Sequence, residues 1–432
     1  MREINFKVKK AVNKYSISLI IASVALVALF QGYMDQNLGG DINLYALTSA
    51  MFGMPSHLIE NGERFTYVMA GETGWDGQFN YYIANDLLNN QGTAAHIDNP
   101  AYRWARPGLS FLAFISSKIL GLEYISQAHF AIVTVGITIL GITALTYITM
   151  KSGLSPLLIF AWALFPGQLI TTFSGLSDAC ADSFFAIFIA LYLGYALRTI
   201  RGQKKVRRFD ELMWTLALSF AGVICVLSRE IYLIFFMVCL LLKAMEYLFS
   251  KAIMTSNIPE KFLMPRIRKI LIVPSLVTTL GYLTYNHLNY LRFGAKNAGT
   301  VVTKNPLTTL RYLYCNFNDC DLAIPSNSSH YGLGHGLSLM AHTFLLFLGL
   351  TIGIAAIAYT FKIFRQTNKL FLGRLLSLEI SIFVMLACLV YFFFGPTVLF
   401  DWTGFIKADS TIIMAIIVGT CMNKITTLEG AK

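Results

Sequence analysis

QAHFAIVTVGITILGITALTYITM, residues 127–150, contains no Asp, Glu, Lys or Arg. At 1.5 Å per residue a helix of this stretch is about 36 Å long, enough for the ~30 Å hydrocarbon core of a bilayer. Similar apolar runs occupy 16–32, 107–122, 180–198, 211–227, 231–249, 270–289, 337–359, 376–395 and 406–421. Charged residues make up 13% of the 432-residue chain and hydrophobic residues 56%. A water-soluble domain carries about 25% charged residues, so this chain cannot cover a water-facing surface. The pattern predicts an all-α polytopic transmembrane bundle of about 10–12 spans.

The net charge of +11 does not point to nucleic acid. Lys and Arg collect in short clusters at 2–14, 198–208, 251–269 and 362–374, between apolar runs. Such clusters mark cytoplasmic loops. They predict a multi-pass protein of the inner (plasma) membrane, contacting membrane lipids, with outer loops at 33–105 and 290–335. The basic N-terminus and the run 16–30 read as an uncleaved signal anchor, because no small-residue cleavage site follows.

The front half poses a parity problem. If 107–122 and 127–150 both cross, 155–172 must return to the face it left. Pro166-Gly167 interrupts that segment, so the expectation is a re-entrant dip. In the loop 33–105, Trp75, Phe79, Tyr82, Ile83 and Leu87 share one helical face. That spacing predicts an amphipathic helix lying flat at the interface.

Several polar clusters stand at the expected outer face. Asp76 precedes the amphipathic helix and is either an N-cap or a general base. Arg103 and Arg106 flank a span start as phosphate ligands or as interfacial snorkelling groups. Asp178 opens a helix, where it complements the dipole, and Asp182 lies one turn deeper. Ser228-Arg229-Glu230 joins two spans as an anion site or a surface ion pair. Asp401-Trp402 is a substrate contact or an interfacial anchor. Of the seven cysteines, Cys315 and Cys320 fall in a polar loop and either form a local disulfide or stay free. His330 and His335 have metal-like spacing without a nearby acidic partner.

Four strings, in order, resemble the GT-C superfamily of membrane glycosyltransferases, and within it the bacterial ArnT, RgtA–D and PIG-V-like groups. They are WDGQFNYYIA (75–84), AYRWARPGLSFLAF (101–114), ALFPGQLITTFSGLSDACAD (163–182) and VLSREIYLI (226–234). The resemblance covers residues 1–250, a GT-C-like module. Residues 251–432 add further spans. It implies sugar transfer from a polyprenyl-phosphate-linked donor to an envelope glycan or lipid acceptor on the outer face. Asp76 stands at the position of the catalytic base. Arg103, Arg106 and Arg229 are its phosphate-binding candidates, Asp178 its second acid, and Trp75, Gln78 and Glu230 further substrate contacts. Many members carry two adjacent acids in the first motif. Only Asp76 is acidic here between Trp75 and Asn85, which favours transfer without a metal or other cofactor. The competing class is a secondary transporter or a lipid-linked glycan flippase or polymerase. Transporters commonly show repeated halves, and no internal repeat is visible.

Overall fold

A computed structural model describes residues 2–69, 74–200, 208–253, 266–294, 333–367, 372–391 and 402–430. Among these residues the protein is all-α, with a single isolated bridge between Ser49 and Tyr67. Six helices have the length and apolar content to cross a membrane, within Asn13–Leu38, Gln127–Ser152, Ser177–Thr199, Phe209–Ser228, Leu339–Tyr359 and Phe405–Ile425. The chain is an integral membrane protein of the helical class. Cys315, Cys320, His330 and Asp401 lie outside the described residues, as do the side chains of His335 and Trp402.

Helix α1 (Arg2–Leu38) rises to the face that carries the described residues of the first loop, 39–69 and 74–107. In that loop stand α2 (Ser56–Glu60), α3 (Gly77–Asn85) and α4 (Pro100–Arg103), followed by α5 (Gly108–Ile119). The predicted helix after Asp76 is present as α3, but it does not lie flat at an interface. Residues 77–84 are all buried. The cause is contact on every side. Phe79 packs on Phe52 and Tyr81 on Phe130, while Asn80 Nδ2 donates to Gly175 O and Ser110 Oγ donates to Asn80 O. Gly77 lets this happen, because a Cβ there would strike the Ser174 carbonyl.

The expected crossing pattern of the front half is corrected. Helix α5 does not cross. Its first residue, Gly108, abuts Ser228 and Ile224. Its last turn reaches Ser116, whose Oγ lies 2.7 Å from His129 Nε2 at the start of α6 (Gln127–Ser152). Gln127 in turn accepts from Ala46 N–H in the first loop. Both ends of α5 therefore sit at the loop face, and 12 residues make only about 18 Å of helix.

The segment 155–172 crosses instead. It follows α6 to the opposite face, where Tyr15 OH donates to Leu154 O. It returns as two short helices, α7 (Leu157–Ala163) and α8 (Pro166–Phe173). Phe173 meets Phe30 and Tyr33, some 15–18 residues further along α1 than Tyr15 and so about 25 Å higher. Pro166 at the first position of α8 has no N–H to lose, so the break falls there. One apolar run that stays and one broken run that crosses restore the parity.

The remainder alternates between the two faces. It comprises α9 (Ser177–Ile200), α10 (Arg208–Ser228), α11 (Leu233–Ile253), α12 (Arg266–Phe293), α13 (Leu333–Thr367), α14 (Leu372–Tyr391) and α15 (Trp402–Gly430). Helix α15 packs back against α6, α8 and α9, so residues beyond 251 complete the bundle begun by the first 250. The five cysteines among the described residues are all buried.

These placements are tested by labelling. With Cys315 and Cys320 replaced, single cysteines at Gly62 and Leu120 are expected to react with an impermeant maleimide from the same side of the membrane. Reaction of position 120 from the side opposite to position 62 would show that α5 crosses.

Candidate functional site

The loop face gathers side chains that are far apart in sequence. Two glycines set the approach. Gly77 packs on the Ser174-Gly175 turn, and Gly108 packs on Ser228. These contacts bring Asp76 toward the start of α9, and Arg106 toward the turn between α10 and α11. Asp178 opens α9, and Arg229 and Glu230 form that turn.

Asp76 occupies the N-cap position of α3 but makes no capping hydrogen bond. Its Oδ1 accepts from Arg103 Nη2 at 2.8 Å, and its side chain is half exposed. The capping alternative therefore falls, since a cap requires the carboxylate to accept from a first-turn N–H. Burial raises the pKa of Asp76. The charge and hydrogen bond of Arg103, with the charges of Lys407 and Arg106, outweigh that and hold it below the usual carboxylate value. Asp76 is thus an ionised, solvent-reachable carboxylate at neutral pH.

The arginines are engaged by carboxylates. Arg103 donates from Nε and Nη2 to both oxygens of Asp98 as well as to Asp76. Arg106 makes a two-bond fork to Glu230, Nε to Oε2 at 2.6 Å and Nη2 to Oε1 at 2.7 Å. Its guanidinium lies over the Tyr102 ring. Burial raises the pKa of Glu230, but the charge and fork of Arg106 overcome it and bring the carboxyl down to about 2. Arg229 pairs with Asp178, and both are largely buried. The surface-pair and snorkelling readings fail for Arg106 and Arg229, which sit inside the assembly. As phosphate ligands, Arg103 and Arg106 present forks already taken up by carboxylates. Phosphate binding there requires exchange of partners or use of the remaining N–H groups.

The other expected site residues divide. Trp75 is partly buried and its backbone N–H donates to Leu47 O. Gln78 is 1% exposed, and its Oε1 accepts from Ser49 N–H, so it braces the first loop from inside. Asp182 lies beneath the site and is fully buried. It accepts from Ser410 Oγ at 2.6 Å, Tyr232 OH at 2.7 Å, Thr411 Oγ1 at 2.9 Å and Trp162 Nε1 at 3.5 Å. The cluster is a closed hydrogen-bond network that ties α15 to α9. Next to it on α15, Asp409 lies 2.6 Å from His342 Nδ1, with both buried.

Sequence reasoning missed Asp98 and Lys407. Asp98 stands in a loop before Pro100, where a helix cap is the ordinary reading. Lys407 stands near the start of α15. Nothing linear connects either to Asp76. Among the described residues no group of three His, Cys, Asp or Glu side chains gathers as a metal site. Comparison with protein-family models, characterised proteins and solved structures finds no match.

The Arg106–Glu230 fork predicts a pH dependence. The folded pKa of Glu230 is depressed, so the pair stabilises fully above the ordinary carboxylate value of ~4.3 and weakens as pH falls toward 2. In detergent, the thermal midpoint of the wild type is expected to fall more steeply over this interval than that of Glu230→Gln. The difference corresponds to about 1 kcal/mol, given the partial exposure of the carboxylate. Parallel curves for the two proteins would remove the pair as a stabilising contact.

Proposed function

We propose that this chain is an integral membrane glycosyltransferase of GT-C type. It would take a sugar from a polyprenyl-phosphate-linked donor and pass it to an envelope glycan or lipid acceptor. One observation carries the reading. The half-exposed carboxylate of Asp76 makes no cap bond and stands within the influence of Arg103, Arg106 and Lys407 at one end of a membrane bundle. Lys14 and Arg198, members of the basic sequence clusters 2–14 and 198–208, lie toward the other end, and such clusters mark the cytoplasmic side, which supports an outer-face site.

The chemistry is direct. Asp76 accepts the proton of the acceptor hydroxyl. The oxygen forms a bond to the anomeric carbon while the bond from that carbon to the donor phosphate breaks. The electron pair leaves on the phosphate oxygen. Fixed cationic groups nearby stabilise that charge where water is partly excluded. A site at the membrane boundary suits a donor whose tail stays in the bilayer.

A transporter or flippase is the second reading. The broken helix α7–α8 beside the intramembrane Asp182 favours it, because transporters build their sites from interrupted helices.

Asp76→Asn separates the readings. Because Asp76 does not cap α3 and Arg103 keeps Asp98, the variant is expected to fold with a nearly unchanged thermal midpoint. Transfer from a polyprenyl-phosphate sugar by the purified protein is expected to drop ~10²–10⁴-fold, the usual cost of losing a general base. A folded Asp76→Asn protein with near-normal transfer would end the catalytic assignment. Substrate-driven uptake into vesicles without transfer would favour the transporter.

A further inference from the structure

Arg103 is shared unequally between two carboxylates. Its Nε and Nη2 donate to Asp98 Oδ1 and Oδ2 at 2.9 and 2.7 Å, so its fork faces Asp98. Asp76 receives one further bond, from Nη2 at 2.8 Å. The guanidinium cannot drift. It lies 4.7 Å from the Phe79 ring centre and 5.4 Å from that of Tyr102, and its side chain is only 16% exposed. Asp98 is itself held, since its Oδ1 accepts from Asn99 N–H at 2.7 Å, just before α4.

We propose that Asp98 is a positioning residue for Asp76: by occupying the fork of Arg103, it limits Asp76 to a single bond and leaves that carboxylate able to accept a proton. The inference rests on the reading of Asp76 as the general base. Its physical ground is competition. A guanidinium fork matches a carboxylate in two parallel bonds, and that match is the strong form of the interaction. With the charge at position 98 removed, the fork has one acid left to satisfy, Asp76. A carboxylate gripped through both oxygens by a full positive charge is a poorer base.

The same site contains the gripped state for comparison. Glu230 takes both bonds of the Arg106 fork and is held down to about 2. Asp76 receives a single bond from Arg103, on Oδ1 alone, and is lowered by that charge and bond. The charged groups acting on Asp76 are Arg103, Arg106 just before α5, and Lys407 on α15, all of them cations. Asp98 is the second acid bonded to Arg103, the cation it shares with Asp76.

The test uses the full-length protein in lipid nanodiscs. Asp98→Asn keeps an acceptor for Asn99 N–H and removes the charge. Its plateau transfer rate is expected to fall three- to tenfold, because a weaker base transfers protons more slowly. The acid limb of its pH–rate profile is expected to move down by about one pH unit, with the donor KM unchanged. Asp98→Glu keeps the charge and is expected to restore the wild-type limb. Asp98→Ala, expected to behave as the Asn variant does, serves where that one does not fold. A second readout does not depend on turnover. The infrared titration of the Asp76 carboxylate, assigned by its loss in Asp76→Asn, is expected to shift down in Asp98→Asn. A lower rate with an unmoved limb and an unmoved titration would mean that Asp98 only supports the fold, and would overturn the inference while transfer itself stands. A shifted Asp76 titration in a protein that transfers no sugar would keep the Asp98–Arg103–Asp76 arrangement and remove the glycosyltransferase reading.

Discussion

Opposite charges brought together at one end of a hydrocarbon-sided bundle form the contact on which the loop face depends. Arg103, Arg106, Arg229 and Lys407 meet Asp76, Asp98, Glu230 and Asp178 there. They come from the first loop, the approach to α5, the start of α9, the turn before α11 and the start of α15. Removing one partner from the largely buried Arg229–Asp178 pair leaves an uncompensated charge, which costs about 3–5 kcal/mol. Each pair therefore acts as a demand on chain path. The segment bearing Arg106 has to lie against the turn bearing Glu230, and α9 has to begin where Arg229 can reach Asp178.

Backbone proximity makes those demands achievable. Gly77 touches the Ser174 carbonyl and Gly108 touches the end of α10 at distances that no side chain allows. The short α5 stays at the loop face so that Arg106, just ahead of it, remains beside Glu230. With α5 withdrawn from the membrane, the broken pair α7–α8 has to cross. The break at Pro166 then places Gln168 and Trp162 against α15 and Asp182. Surface chemistry and membrane topology are consequences of one arrangement.

Three acids show how surroundings divide roles. Asp182 has four donors, no access to solvent and a place between helices, so it fastens the bundle. Glu230 is locked in a fork. Asp76 keeps half of its surface open and a single shared donor. A reacting carboxylate needs solvent access and an oxygen outside its ion pair: Asp182 lacks the access, Glu230 has both oxygens in the Arg106 fork, and Asp76 is paired through Oδ1 alone.

Composition and periodicity were sufficient for the class of the protein. Apolar runs near 20 residues, few charges and basic clusters between the runs lead to a helical membrane protein, because the bilayer imposes length and polarity on every span independently. The helix after Asp76, the Pro166 break and the polar positions of interest are likewise legible, since each depends on neighbours within one turn. Which apolar run crosses and which does not was beyond the sequence. Residues 107–122 and 155–172 are similarly apolar, and contacts with Ser228, His129, Tyr15 and Phe30 decide between them. The meaning of each charge also came only from tertiary structure. A linear chain displays Asp76, Asp98, Asp178 and Glu230 as equal acids, whereas their partners lie from 5 to 124 residues away, and a carboxylate's chemistry is set by what stands within a few ångströms of it.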